Sequence, residues 1–530
     1  MSYKQIDTAA KTELMEAHQI GSLLAKVLFS MHYSEKDIAS FFAPCDHYEF
    51  NEEVYEPIRK KLLEIADKGQ KVFIFGDYDC DGICATSIMM MIMQKLGIEA
   101  GYYIPSRINE GYGLNVEKLA LAHQKGYEVL VTVDNGVSAA EGLKWAREHD
   151  MFTIVTDHHQ ITEKPDCDML LHPDLMGEEY RYLSGGAVAY MLARYLQVND
   201  EKMEILAMLS LIGDVMSLKG INVKIVRDGL SLLNSHLYPQ VEMLAPTEGR
   251  YSESDVSFKV VPMINSAGRV SEQPVSQANQ LVRYFITDDR SLMFGLSQLI
   301  SELNDERKTL SNQQSEMLKG KIDPNDTINF LYDPDLHIGI LGLIASRIAA
   351  ETNKVTFVLT DNGDNIVGSG RGVGEIDLMD LLSDFACRTV NLGGHTKACG
   401  ITVRKEDLED LSVYLHEKCD GLSTDSVYEY IDVDLDELNL RDIQQLYRYR
   451  PYGQDRTLPL MKITIPNNSL ITMRNDHQLK WKCGDLDFVS FENEGYEAYR
   501  NREYVTVYGN LQENRFRGRI SYQIMVREIV

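Results

Sequence analysis

No run in this 530-residue chain is apolar for long enough to span a membrane, and the opening Met1-Ser2-Tyr3-Lys4-Gln5 carries no secretory pattern. Both absences lead us to expect a cytoplasmic protein with no membrane partner. Cysteines number only eight, and no two form a CxxC pair. That spacing argues against a disulfide scaffold or a zinc site and fits reduced thiols. Positive charge is also short, with 53 Lys and Arg against 80 Asp and Glu, for a net charge of −27. So acidic a chain cannot grip nucleic acid with its whole surface. The deficit is uneven: residues 456–530 hold 11 Lys/Arg against 9 Asp/Glu, which leaves −29 on residues 1–455. Any polyanion must therefore be held by local basic clusters.

What is present is an ordinary globular composition, 44% hydrophobic and 25% charged, at a length that calls for three or four domains. The most informative stretch is Val72-Phe73-Ile74-Phe75-Gly76-Asp77-Tyr78-Asp79-Cys80-Asp81-Gly82. Four apolar residues read as a buried parallel strand, and the apolar run from Ile83 to Met93 reads as the helix that follows. Three alternating aspartates between them repel one another unless a hard cation is shared. Taken alone the stretch also reads as an acidic surface turn.

Two further strands repeat the arrangement. Val129 to Val133 ends in Asp134-Asn135-Gly136, and Phe152 to Thr156 ends in Asp157-His158-His159, with a crossover helix expected over Glu141 to His149. In a doubly wound sheet such carboxyl ends lie on one edge, so these side chains can converge. Gly185-Gly186 opens another helix, and an apolar helix over Glu204 to Ile212 leads into Gly213-Asp214, where the aspartate is either a cap or a further metal carboxylate. Residues 1–70, with helical patterns at Leu14–Leu28 and Val54–Ala66, read as packing around the first strand.

From Thr287 to Gly320 the pattern is one long amphipathic helix, read as a connector, with coiled-coil pairing as the alternative. A second α/β unit follows, with strands at Thr327–Leu331 and Val355–Leu359 and a helix over Gly342–Glu351. Two glycine-rich stretches, Gly368-Ser369-Gly370-Arg371-Gly372 and Gly393-Gly394-His395, read as turns able to wrap a phosphate. After Pro451-Tyr452-Gly453 the residues alternate apolar and polar, as a small antiparallel β unit does. That unit interleaves aromatics such as Trp481 and Tyr508 with Arg515, Arg517 and Arg519, a composition suited to single-stranded nucleic acid, or equally to a barrel with an aromatic core.

Together, Asp77-Tyr78-Asp79-Cys80-Asp81-Gly82, Asp134-Asn135-Gly136, Asp157-His158-His159, Gly213-Asp214 and Gly393-Gly394-His395 resemble the DHH phosphoesterase superfamily, and within it the bacterial single-strand exonucleases. The resemblance covers residues 50–460, with the terminal β unit matched by layout. It implies an α/β fold in which a DHH domain with a parallel sheet (51–285) and a smaller DHHA1 domain (323–453) are joined by a long helix (286–322). An N-terminal helical segment (1–50) and a C-terminal OB-like β-barrel (454–530) complete the expected organisation.

The same resemblance implies two divalent ions, Mn²⁺ or Mg²⁺, on Asp79, Asp81, Asp134, His158 and Asp214. Asp77 and His159 would stand behind the ligands or against the scissile phosphate, with Asp77, Asp134, His158 and His159 as the catalytic set. Arg107, Arg269, Ser369 and Arg371 would hold a 5′-phosphate, with His395 near the phosphodiester. Trp481, Tyr508, Arg515, Arg517 and Arg519 are the candidate single-strand contacts. The implied activity is 5′→3′ hydrolysis of single-stranded DNA to nucleoside 5′-monophosphates in recombination and repair, by a monomer. Single-strand-binding protein and a helicase are the candidate protein partners. The alternatives are a DHH enzyme acting on oligoribonucleotides or cyclic dinucleotides, and a non-catalytic binding subunit of a replication complex. The chain departs from the family at Ser210-Leu211-Ile212-Gly213-Asp214, where Gly-Thr-x-x-Asp is common, and at Ser217, Ser266 and Cys399.

Overall fold

Three β-sheets organise the chain. The computed structural model describes every residue except 1, 108–109, 111–112, 248, 271–275, 423–426, 475, 492 and 517–518. The first strand, β1 (Ser2–Gln5), belongs to the third sheet and is taken up there. The first sheet contains β2 (Lys71–Phe75), β3 (Ala100–Tyr103), β4 (Tyr127–Val133), β5 (Phe152–Thr156) and β6 (Met169–Leu171) in the order β3-β2-β4-β5-β6, with every pairing parallel. The apolar runs that mark β2, β4 and β5 are needed because helices cover both faces of such a sheet. Between β2 and β4 the winding reverses direction, which opens a crevice at the carboxyl ends of those two strands.

The helix Cys80–Leu96 runs from that crevice and is buried on every face as far as Met93. It lies between the sheet and the helices Gly185–Tyr195 and Glu201–Gly213, so it has no polar side to show. The helix Arg290–Lys319 starts at Asp289, whose side chain accepts from the amides of Ser291 (2.8 Å) and Leu292 (3.2 Å). It is more than a tether. Met293, Leu296, Ile300, Leu303 and Leu318 join the core of the first unit, and that core runs on into Leu341, Ile344 and Val358 of the second.

The second sheet contains β7 (Asn329–Tyr332), β8 (Thr356–Asn362), β9 (Asn365–Arg371), β10 (Asn391–His395) and β11 (Ala398–Arg404) in the order β10-β11-β9-β8-β7. Here the sequence reading needs correction, because both glycine-rich stretches are strands and not turns. Ser369 in β9 pairs with Gly400 in β11, and Gly394 in β10 pairs with Cys399. Glycine at 394 permits a φ of 156°, and a Cβ there would lie 2.3 Å from the Ala398 carbonyl oxygen.

The third sheet is mixed and eight-stranded. It contains β12 (Val427–Asp432), β13 (Leu460–Pro466), β14 (Ile471–Thr472), β15 (Leu479–Cys483), β16 (Leu486–Ser490), β17 (Tyr504–Phe516) and β18 (Arg519–Ile529), in the order β1-β12-β13-β17-β18-β16-β15-β14. Two expectations change. The strand β12 and the helix Leu440–Arg448 belong to this unit, so it begins well before residue 454. The N-terminal residues also belong here and do not pack around the first strand. The pattern over Leu14–Leu28 breaks into the helices Lys11–His18 and Ser22–Ser30, separated by a left-handed Gln19. Leu23, Leu24, Val27, Leu28 and Phe41 share a core with Ile463, Trp481, Phe488 and Val507. Buried Lys26 fixes the docking by donating to the Asp432 carbonyl at 2.7 Å and pairing with Glu437. The helix Glu52–Lys68 packs on the first unit through Tyr55, Ile58, Leu62 and Ile65, joined by Cys45, Tyr48 and Phe50 just before it.

Because Leu24 is fully buried in the third core, Leu24→Ala should destabilise that unit by about 2–5 kcal/mol through lost transfer energy and a residual cavity. Denaturant titration followed by Trp481 fluorescence, in a Trp145→Phe background, would show an earlier transition. An unchanged midpoint would mean that the N-terminal helices are not part of that core.

Candidate metal centre and adjoining cleft

The crevice between β2 and β4 collects the acidic strand ends. Asp77 and Asp79 follow β2, Asp134 follows β4, and His158 and His159 follow β5. Asp214 arrives from a different direction, as the residue closing the helix Glu201–Gly213. His158 Nε2 stands 3.4 Å from Asp81 Oδ2, 3.2 Å from Asp134 Oδ1 and 3.5 Å from Asp214 Oδ2. Three overlapping sets have ligand atoms within 4.8 Å of one another: Asp77, Asp79 and Asp134; Asp81, His158 and Asp214; and Asp134, His158 and His159.

Backbone amides hold two of these carboxylates directly. Asp79 caps the helix Cys80–Leu96, its Oδ1 accepting from the amides of Asp81 (3.0 Å) and Gly82 (3.1 Å), while the Cys80 amide donates to Asn265 Oδ1 at 2.8 Å. Asp81 accepts from the amides of Gly185 and Gly186, both at 2.7 Å, and from the Ser210 hydroxyl. Asp134 sits at a left-handed φ of 59°, its amide donating to the Thr156 carbonyl at 3.0 Å. Gly185 allows the close approach here, because a Cβ at that position would lie 2.5 Å from the Asp134 Cβ.

Asp157 is fully buried and accepts from the amides of Val137 (2.9 Å), His158 (2.8 Å) and His159 (3.2 Å), and also contacts His159 Nδ1 at 2.8 Å. It fixes the His159 imidazole and anchors the backbone that carries His158. Burial alone would lower the His159 pKa, but the Asp157 hydrogen bond and the nearby Asp214 and Asp81 carboxylates raise it to about 9.

Without a cation this cluster is electrostatically unsatisfied. Burial, and then the charge of Asp79, raises Asp77 well above the carboxylate range. Burial, and then Asp81, Asp79 and Asp77, does the same to Asp134. Asp214 is pushed up to about 8 by burial and then by Asp81. Asp77 Oδ1 and Asp134 Oδ1 are buried and accept no hydrogen bond within the described residues. Orphaned carboxylate oxygens around a buried imidazole form a donor set that fits Mn²⁺ or Mg²⁺, the mixed ligation leaning towards Mn²⁺.

Beside the cluster, a cleft of about 480 Å³ opens between the first two units, lined in part by Tyr78, Arg107, Gly342, Ser369, Arg371 and Gly393. The Arg107 guanidinium lies 5.3 Å from the centre of the Tyr78 ring. Arg371 donates to Ser346 Oγ (2.8 Å), Ser369 Oγ (2.8 Å) and the Gly370 carbonyl (2.7 Å), an arrangement that locks its fork. Burial lowers Arg269 to about 10, and the charges of Arg107 and Arg307 push the same way against the pull of Asp79. Of the predicted phosphate-binding residues, Arg107, Ser369 and Arg371 line this cleft, and Arg269 stands within electrostatic reach of Arg107. His395 is exposed at the end of β10, outside the lining.

The structure also brings in residues that sequence reasoning did not assign. Ser210, the Gly185 and Gly186 amides and Asn265 hold the aspartates, and Asp157 orients the histidines. The charge of Arg307 reaches Arg269 and that of Arg347 reaches Arg307, and the two are held by the neutral side chains of Asn304 and Asn312. Only Asp157 had a signal, its place in the Asp-His-His run. Arg307 lies in a charged helical stretch with nothing to distinguish it, whereas Arg347 is the one basic residue of the apolar helix Leu341–Thr352.

The proposed single-strand contacts on the third unit fare differently. Trp481 is fully buried, its Nε1 donating to Asn467 Oδ1 at 2.6 Å, and Tyr508 is buried with its ring stacked on Tyr3 at 4.0 Å. Neither ring is a stacking platform, because both inward faces of this sheet need aromatic volume. Arg515 pairs with Glu513 and donates to the Arg250 carbonyl, tying the third unit to the first. Arg519 is exposed at the start of β18, and Arg517 lies outside the described residues.

Family models match three successive segments: the DHH family N-terminal domain over residues 71–213, the DHHA1 domain over 325–420 and the RecJ OB domain over 431–528. The chain belongs to the RecJ branch of the DHH family. The single-stranded-DNA-specific exonuclease RecJ of Bacillus subtilis is 27% identical, over 97% of this chain and 69% of that protein. RecJ of Haemophilus influenzae is also 27% identical, over 88% of each. Among solved structures, RecJ of Thermus thermophilus in complex with Mn²⁺ superposes with a TM-score of 0.83 at 23% identity, covering all of this chain and 78% of that one. An exonuclease RecJ bound to manganese gives 0.61 at 25% identity, covering 72% of this chain and 97% of that one.

For this RecJ-branch cluster three outcomes are expected. Saturating Mn²⁺ should raise the thermal midpoint, by the equivalent of about 2.7 kcal/mol at a hundredfold excess over Kd. Asp134→Asn should raise the metal-free midpoint, because it removes a buried repelling charge, and should lose the Mn²⁺ response. Gly185→Ala keeps every ligand yet should weaken the Mn²⁺ response through its clash with Asp134. Differential scanning calorimetry with and without Mn²⁺ checks all three.

Proposed function

We propose that this chain is a divalent-metal-dependent exonuclease that shortens single-stranded DNA from its 5′ end, releasing nucleoside 5′-monophosphates in recombination and repair. The observation that carries the reading is the juxtaposition of an unsatisfied carboxylate–imidazole cluster with an arginine-lined cleft in an otherwise acidic chain. Neither half alone specifies phosphodiester hydrolysis. Side by side, one attracts cations and the other a phosphate.

Asp79, Asp81, Asp134, His158 and Asp214 would hold the ions, and the orphaned Oδ1 of Asp77 adds that residue to the set. Bound ions supply Lewis acidity at the phosphoryl oxygens and lower the pKa of water. Arg371, preorganised by Ser346, Ser369 and the Gly370 carbonyl so that its Nη2 is left to donate, and Arg107 would clamp a terminal phosphate between them. His159, held by Asp157 and kept protonated, places positive charge at the rim and can give a proton to the leaving oxygen. The site lies between two units, so a strand must enter by an end, which favours single strands over duplex. A helicase that frees such an end and a single-strand-binding protein that keeps it open would be the protein partners of such an activity.

The test is incubation with Mn²⁺ and a 5′-phosphorylated single strand labelled at its 3′ end. Steady shortening is expected, with Asp134→Ala inactive and Arg371→Ala raising KM by about 10–100-fold through a lost charge-assisted pair. Cleavage confined to dinucleotides would reassign the chain to the oligonucleotide-degrading enzymes of the superfamily. Tight binding without turnover would make it a binding subunit.

A further inference from the structure

The helix Glu201–Gly213 ends in a six-to-one turn: the Met216 amide donates to the Leu211 carbonyl at 3.0 Å, and the Val215 amide to the Ile212 carbonyl at 3.3 Å. That turn requires a left-handed residue just past the cap, a position where glycine is usual and asparagine the common substitute. Here the residue is Val215, at a φ of 54°. Among the described residues it is the one β-branched side chain with positive φ; the other non-glycine cases are Asp, Asn, Gln and His. A β-branched residue is the least suited to this conformation, since both γ-carbons crowd the backbone.

The strain is not offset by burial. Val215 is 62% exposed, so its methyl groups gain little from the fold. Its location is specific. Asp214, immediately before it, presents a carboxylate 3.5 Å from His158 Nε2. Three residues after it, the Leu218 amide donates to the Gln454 carbonyl at 3.1 Å, at the edge of the third unit. Val215 therefore stands on the short segment that bridges the metal centre and that unit. A strained, exposed apolar side chain in such a place has a reason to persist if a ligand covers it.

We propose that Val215 is a substrate contact, packing its methyl groups against the sugar or base of the nucleotide next to the scissile phosphate, where the strand leaves the metal centre towards the third unit. This rests on the functional reading above, and it adds an apolar contact to a site otherwise made of charge.

The test is Val215→Gly, with Val215→Asn beside it, in the full chain. Both replacements suit the left-handed turn, and both remove the apolar contact. The thermal midpoint of the metal-free protein should rise by about 2–4 °C for either. KM for a 5′-phosphorylated single strand should rise about tenfold, the burial energy of one valine side chain, while Mn²⁺ affinity by calorimetry stays unchanged. A raised midpoint with unchanged KM would overturn the proposal, since the valine would then be merely tolerated. An unchanged or lowered midpoint would remove the strain on which it stands. Weakened Mn²⁺ binding would show that Val215 acts by positioning Asp214, which also overturns a substrate contact. If the parent chain fails to shorten the strand, the functional reading falls and takes this proposal with it, while the thermal arm still reports the strain by itself.

Discussion

Like-charge repulsion among buried carboxylates is the constraint on which the rest of this molecule depends. Asp77, Asp79, Asp81 and Asp134 are driven together because β2 and β4 are neighbours whose following segments depart in opposite directions. Arg107, Arg269 and His159 pull against that crowding, but burial and like charge outweigh them. The fold holds Asp79 and Asp81 with backbone amides and leaves oxygens of Asp77 and Asp134 unpaired. Amides stabilise a carboxylate without cancelling its charge, so the cluster stays selective for cations and closed to neutral ligands.

The second half of the problem is to bring a polyanion to a protein of charge −27. The answer is spatial separation. Arg107, Arg269, Arg307, Arg347 and Arg371 come from five different elements, and the interactions holding Arg307, Arg347 and Arg371 are with neutral groups. Neutral partners orient a guanidinium and leave its charge for the ligand. Screening reaches about 8 Å at physiological ionic strength, so a strand inside the cleft feels this wall more than the acidic exterior.

The catalytic half of the fold was legible because each of its strands is an uninterrupted apolar run ending in chemistry. The period and the motif coincide at Phe75–Asp81, Val133–Asp134 and Thr156–His159, and the parallel sheet follows. The glycine-rich strands β9 and β10 were misread as turns because propensity assigns glycine to turns, whereas here close inter-strand approach selects it. Trp481 and Tyr508 were misassigned for a related reason: alternation says that a side chain has two faces to choose between, and only the sheet order says which is inside. Arg307, Arg347 and the amide cradle of Asp81 could not have been read at all. The cradle joins residues more than a hundred positions apart, and the two arginines take their meaning from charged neighbours on other elements.

The same distance effect governs the third unit. Its first strand and three helices lie within residues 2–42, yet the sheet that covers them begins at Val427. During synthesis at 5–20 residues per second, Leu23, Leu24, Leu28 and Phe41 emerge and wait roughly 20–80 s before their partners exist. The first unit, most of whose core lies within residues 52–286 and the long helix, can fold largely in the meantime. The N-terminal segment must then spend that interval as an exposed apolar tether on a mostly folded catalytic domain. The last part of the molecule to become native therefore includes residues 2–42.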